Sequence, residues 1–228
     1  MTRAFAPSST VEGQAIPLPT AWYEPLLDRG VVPDAVLRAG VRRRLRARIR
    51  LEERGGVDAL SERFRAILTD LSRAPVAIHT REANQQHYEL PPEFFRLCLG
   101  PRLKYSCAYW PAGVRSLGQA EEAMLRLTCE RAAIQDGMDI LELGCGWGSL
   151  TLWMAEHFPG SRIVAVSNSR PQREFILAEA ERRGVRAPRI ITADVNELSL
   201  EGGFDRVVSV EMFEHVKNYR TLLARIAS

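Results

Sequence analysis

The chain has 228 residues, 46% of them hydrophobic, and a formal net charge of +3. That is enough for one ordinary domain with an extension and for a sizeable core. Its longest apolar runs fall far short of the roughly 20 residues that cross a bilayer and the N-terminus lacks a secretory pattern, so the expected location is cytoplasmic; no nucleic-acid partner is expected.

The positive excess lies in residues 1–80, and the remainder is close to neutral. Only Lys104 and Lys217 among the basic residues are lysine, a bias without functional meaning by itself. Cys98, Cys107, Cys129 and Cys145 are irregularly spaced, and the histidines are His79, His87, His157 and His215. This pattern suggests neither a structural zinc site nor a disulfide framework, and no metal is expected.

Residues 1–19 are rich in Pro, Ser and Thr without periodicity and read as a flexible leader. Residues 20–116 read as a helical extension. Pro33 suits a first helical turn, after which Leu37, Val41, Leu45 and Ile49 recur every four residues until Gly55 and Gly56 end the pattern. The arginines at 42, 43, 44, 46, 48 and 50 are read as a solvated face over a core stripe, the alternative being a basic helix that lies on anionic lipid or nucleic acid, of which peripheral membrane contact is kept. A second helix is predicted over 57–71 and a short one over 91–99. The loop KYSCAYWPAG at 104–113 follows, in which Tyr105 and Trp110 read as core aromatics.

A further helix is predicted over 117–134. After Gly137, strands are expected at 139–143, 162–166, 189–192 and 206–210, with helices at 149–158, 170–183 and 219–227. Strands alternating with helices imply an α/β fold with a parallel, Rossmann-like sheet covered on both faces, occupying 117–228.

Within it, LELGCGWG runs from a strand through Gly144, Gly146 and Gly148 into a helix. Such a turn lets backbone approach a ligand beside the positive end of the helix. Two details favour S-adenosylmethionine (SAM) over a dinucleotide. The spacing is GxGxG preceded by Glu142, where a pyrophosphate-binding turn wants GxGxxG. The second strand ends in Ser167 and Asn168, where a nicotinamide enzyme would place an acid on the ribose. Gln172 is a candidate for the ribose contact. Asp194, after the third strand, is placed to accept a hydrogen bond from the adenine amino group or, alternatively, to cap a loop or helix.

From about residue 33 onward the chain resembles coclaurine N-methyltransferase and its relatives, a branch of the cyclopropane fatty acid synthase superfamily. The residues that carry the resemblance are CERAAIQDG (129–137), LELGCGWG (141–148), AVSNSRPQREFI (165–176) and FEHVKNY (213–219), with HYELPPEFF and KYSCAYW shared more widely. It implies a class I SAM-dependent methyltransferase fold in which Tyr105 and Ser106 close over the methionine end of SAM. The glycine turn, the segment from Ser167 to Gln172, and Asp194 with Val195 would line the rest of the cofactor site. It also implies a seven-stranded sheet, of which four strands are counted here, so the chain is expected to be C-terminally incomplete.

SVEMFEHVKNY sets Glu211, Glu214 and His215 just beyond the fourth strand, where ligands of open parallel sheets bind. Read by residue type, Glu214 and His215 are equally a proton-accepting pair and a helix cap with a packed imidazole. The resemblance implies the catalytic role, because this branch uses matching Glu and His positions. Its lipid-modifying cousins usually have glycine where this chain has Glu211, which ranks a small-molecule amine above an unsaturated lipid as acceptor. Cys107 and Glu214 match residues around bicarbonate in cyclopropane synthases, so methylene transfer to an unsaturated lipid stands as the second reading. A noncatalytic SAM-binding module is the third.

Overall fold

The computed structural model describes residues 23–78 and 90–228. The leader read into 1–19 and the start of the HYELPPEFF segment lie outside the described residues. The chain divides into two compact units, Met1–Phe64 and Arg65–Ser228.

The first unit contains α1 (Glu24–Asp28), which the sequence pattern did not suggest, α2 (Asp34–Glu52) and the start of α3 (Gly56–Arg73). Pro33 caps α2 from outside its first turn. The chain turns between the two helices at Gly55 and at Gly56, the first residue of α3, with φ 91° and 72°, and the Arg63 guanidinium donates to the carbonyls of Glu52 and Arg54 across that break.

The core stripe expected on α2 is not buried: Leu37 is 38% exposed and Val41, Leu45 and Ile49 are each more than half exposed. At 3.6 residues per turn, Arg38 and Arg48 fall inside the arc of that stripe and Arg42 and Arg44 on its borders. Charge therefore interrupts the apolar face, and the helix lacks the separated faces of a lipid-surface amphipath. Among the described residues no helix is long and apolar enough to cross a membrane.

The second unit continues with α4 (Pro92–Cys98), α5 (Leu117–Arg131), β1 (Asp139–Leu143), α6 (Ser149–His157), β2 (Arg162–Ser167), α7 (Arg170–Arg183), β3 (Arg189–Thr192), β4 (Arg206–Ser209), a short 3-10 turn (Phe213–His215) and α8 (Tyr219–Ala227). The four strands form one sheet in the order β3-β2-β1-β4, every pair parallel. Parallel neighbours need crossovers, and the helices that make them cover both faces, which is why β1 and β2 are almost continuously buried, Glu142 and Ser167 included.

Alternation sorts the side chains. Ile140, Ile163 and Val208 pack with Leu125, Trp153 and Met154 of α5 and α6 on one face. Leu141, Leu143, Val164 and Val166 pack with Val76, Val216 and Leu222 on the other.

Several boundaries differ from expectation by one to three residues, among them β2, which runs on to Ser167, and α6, which ends at His157. Helix α5 stops at Arg131, not 134, because Ala133 turns left-handed at φ 50° and the Ile134 N–H returns to the Cys129 carbonyl at 3.0 Å. Strand β4 ends at Ser209, one residue before Val210. Trp110, read as a core aromatic, is 54% exposed. It lies in a stretch without helix or strand, where no periodicity directs a side chain inward.

Candidate cofactor and active site

The chain leaves β1 through one crossover toward β2 and reaches β4 on β1's other side. This reversal of strand order opens a crevice at the carboxyl ends of β1 and β4. A cleft of about 1010 Å³ lies there, lined by the glycine turn, the ends of the strands, residues 103–106 and the 3-10 turn.

The glycines in the turn have different tasks. Gly144 has φ 81°, and a Cβ built on it would lie 2.7 Å from Met212 Cβ. It is glycine both for its backbone angle and for the chain crossing above it. Gly146, at φ 52°, lines the cleft with open space where a Cβ would point. Gly148 does not line the cleft; it caps α6 at φ 79°, and a Cβ there would meet Ile176 of α7 at 2.6 Å.

Tyr105, Ser106, Glu142, Ser167, Asn168, Gln172, Asp194, Val195, Glu211, Glu214 and His215 all line this one cleft, whereas Ser169, Arg170 and Pro171, inside the segment expected to line it, do not. Their local partners show how each is held. The Ser167 hydroxyl donates to Gln172 Oε1 at 2.6 Å and accepts the Ser169 N–H at 3.0 Å. Asp194 Oδ1 accepts both the backbone N–H and the side-chain amide of Asn196 at 2.8 Å. Glu211 has φ 51°, a left-handed angle that costs an ordinary residue about 1–2 kcal/mol. Its Oε1 accepts the Cys107 N–H at 3.0 Å, binding the loop after α4 to the end of β4.

Glu142 is buried, and that burial pushes its carboxyl up to about 7, against the Thr151 hydroxyl, 2.5 Å away, and Lys104, which both favour the ionised form.

Several residues at the cleft carried no signal in the motif reading. Trp147 is buried with its indole N–H unpaired, packed on Phe95 and Phe175; Phe95 in turn packs edge-on against Tyr105. Trp147 stands inside GCGWG, so the motif itself could have directed attention to it. Asn196 grips Ala77 from both sides, accepting its N–H and donating to its carbonyl, each at 3.0 Å. Val76 O accepts the N–H groups of Lys217 and Asn218. These bonds bring Ala77 and Ile78 to the cleft wall, a contact across more than 100 residues that no local pattern announces.

Among the described residues, five buried polar side-chain atoms have no hydrogen-bond partner. Three belong to cleft-lining residues, Trp147 Nε1, Ser149 Oγ and Gln172 Nε2. Buried polar groups are nearly always paired, so a cleft with several free donors suits a ligand rich in oxygen acceptors, as a ribose and an amino-acid carboxylate are.

The parallel sheet, the GxGxG turn and this cleft are those of the class I SAM-dependent methyltransferase fold. The profile of the mycolic acid cyclopropane synthetase family matches residues 77–227, and the chain belongs to that family. It is similar to (S)-coclaurine N-methyltransferase of Thalictrum flavum subsp. glaucum, 36% identical over 88% of this chain and 55% of that protein. It is also similar to the cyclopropane-fatty-acyl-phospholipid synthase of Escherichia coli strain K12, 39% identical over 61% of this chain and 35% of the other. The crystal structure of coclaurine N-methyltransferase bound to N-methylheliamine and SAH superposes with a TM-score of 0.78, at 35% identity, over 91% of this chain and 60% of that one. The chain thus spans little more than half the length of the coclaurine relatives it matches. The family's cofactor is SAM, and the free donors around the glycine turn fit it.

Proposed function

We propose that the protein containing this chain transfers a methyl group from SAM to an amine nitrogen of a small molecule. The observation that carries this reading is the convergence of Glu211, Glu214 and His215 on the cleft that the glycine turn also lines.

SAM supplies a methyl group on a positively charged sulfur. Displacement there needs an in-line nucleophile with its lone pair available, so the protein's work is positioning, exclusion of water and proton management. In this reading Glu211 and Glu214 attract the amine as its cation. His215 or Glu214 accepts the proton, so that nitrogen attacks as the neutral base. Gly144 and Gly146 let the cofactor approach the backbone, Gln172 donates to the ribose, Asp194 receives the adenine amino group, and Tyr105, Ser106 and Val195 complete the enclosure.

The amine is favoured over a lipid because Glu211 keeps a carboxylate at a backbone angle suited to glycine. A side chain kept at a conformational cost points to a function for that side chain. Relatives named as N-methyltransferases of coclaurine, pavine and tetrahydroprotoberberine support the same choice. Methylene transfer to an unsaturated lipid is the second reading, and the similarity to the E. coli synthase favours it. Incubating the full-length protein with methyl-labelled SAM and separate pools of amines and unsaturated phospholipids tests the choice. Label is expected in the amine pool, and label in the lipid pool alone would overturn the proposal.

A further inference from the structure

Lys104 takes no part in the chemistry described so far, yet it is 94% shielded, its exposure being 6%, and lines the cleft. Among the cleft-lining residues it is the one lysine or arginine, facing a lining that also holds Glu142, Asp194, Glu211 and Glu214. Burial pulls its ammonium toward the neutral form, while Cys107, Glu211, Glu121 and Glu142 each pull it back toward the charged one. Its Nζ donates to Ser106 Oγ, and among the described residues that is its one hydrogen-bond partner. An ammonium has three donors.

The position is built, not incidental. The residue before it, Leu103, is held at φ 50°, a left-handed angle at a non-glycine residue. The carboxylate of Glu121, itself buried, accepts the backbone N–H groups of Gly100, Arg102 and Lys104 at 3.1, 3.0 and 3.2 Å. Gly100 leaves room for that carboxylate, since a Cβ there would lie 2.4 Å from its Oε2. A lysine is thereby delivered into a cleft, beside the serine expected at the methionine end of SAM.

SAM brings a carboxylate on its amino-acid end into this lining. A carboxylate entering a lining that already holds Asp194, Glu211 and Glu214 is repelled unless a cation meets it, and a buried ion pair with hydrogen bonds to spare meets that need. We infer that Lys104 is the counter-ion for the cofactor's amino-acid carboxylate, held with Ser106 as a paired anchor, and that it selects ligands carrying that carboxylate. This rests on the cleft being the SAM site and is independent of which acceptor is methylated.

The test is a four-way comparison by titration calorimetry: the parent protein and Lys104→Met, each with SAM and with decarboxylated SAM. Removing the ammonium and the carboxylate separately and together isolates their coupling. A hydrogen bond to a charged group corresponds to a loss on the order of 10- to 100-fold in affinity. Lys104→Met is expected to lose about that much for SAM while binding decarboxylated SAM as well as the parent does, or better, because a repelled cation has gone. Equal losses for both ligands, or no loss for either, would overturn the assignment. If the parent binds neither ligand, the cofactor reading of the cleft fails instead. Should Lys104→Met not fold, as judged by circular dichroism, Lys104→Gln enters the same comparison with the same expected split.

Discussion

Glu142 should make the ligand-free protein less stable as pH rises across neutrality. Its carboxyl, ordinarily near 4.5, is held up to about 7 by burial. At about 1.4 kcal/mol per tenfold change, this represents roughly 3 kcal/mol of preference for the protonated form in the folded state. The sign follows from linkage. The folded protein binds the proton more tightly than the unfolded chain, so this contribution is complete below about 4.5 and disappears as pH climbs through about 7.

Between about pH 5 and about pH 8.5 the parent should therefore lose up to roughly 3 kcal/mol of unfolding free energy through this group. Glu142→Gln, which cannot ionise, should flatten that slope. Glu179 does not interfere: hydrogen bonding from Arg182 leads the interactions that hold it at about 2, so its contribution is lost only in stronger acid. Urea unfolding of both proteins at several pH values gives the measurement. Parallel slopes for the two would refute the argument, because the burial of Glu142 would then not control its ionisation.

The remaining predictions concern the turn, the cofactor choice and the acceptor end. Gly146→Val should abolish SAM binding in calorimetric titration while the fold survives, since the added atoms enter the cleft; Gly144→Ala should instead lower thermal stability, because its Cβ meets Met212. In thermal-shift assays SAM and S-adenosylhomocysteine should stabilise the protein and NAD should not, and stabilisation by NAD alone would contradict the site. Glu211→Gly in the full-length protein should raise the amine concentration needed for half-maximal rate without weakening SAM binding. By relieving the φ of 51° it should also leave stability unchanged or higher by about 1 kcal/mol; normal amine kinetics would remove Glu211 from the acceptor site.

The alternation of short β-branched strands with helices, and the glycine turn leading into α6, were legible in the sequence because they are local. Period two, period 3.6 and a Gly-rich strand end are set by neighbours along the chain, and the four strands lie within a residue or so of where the pattern put them. The family motifs likewise named residues that meet at one cleft; residues 169–171 and Gly148 are exceptions, Gly148 because it packs on Ile176 instead. What the sequence could not decide was burial and pairing between distant segments. The stripe on α2 has the spacing of a core face yet is exposed, because periodicity orients side chains without supplying a surface to cover them. Trp147 and Lys104 acquired meaning only when the fold buried them with donors unpaired. Asn196 could not be found beforehand, because its hold on Ala77 joins residues 119 positions apart. Such contacts are selected by the packed tertiary structure as a whole, where an unmet hydrogen bond is costly, and not by any pattern within a few residues of sequence.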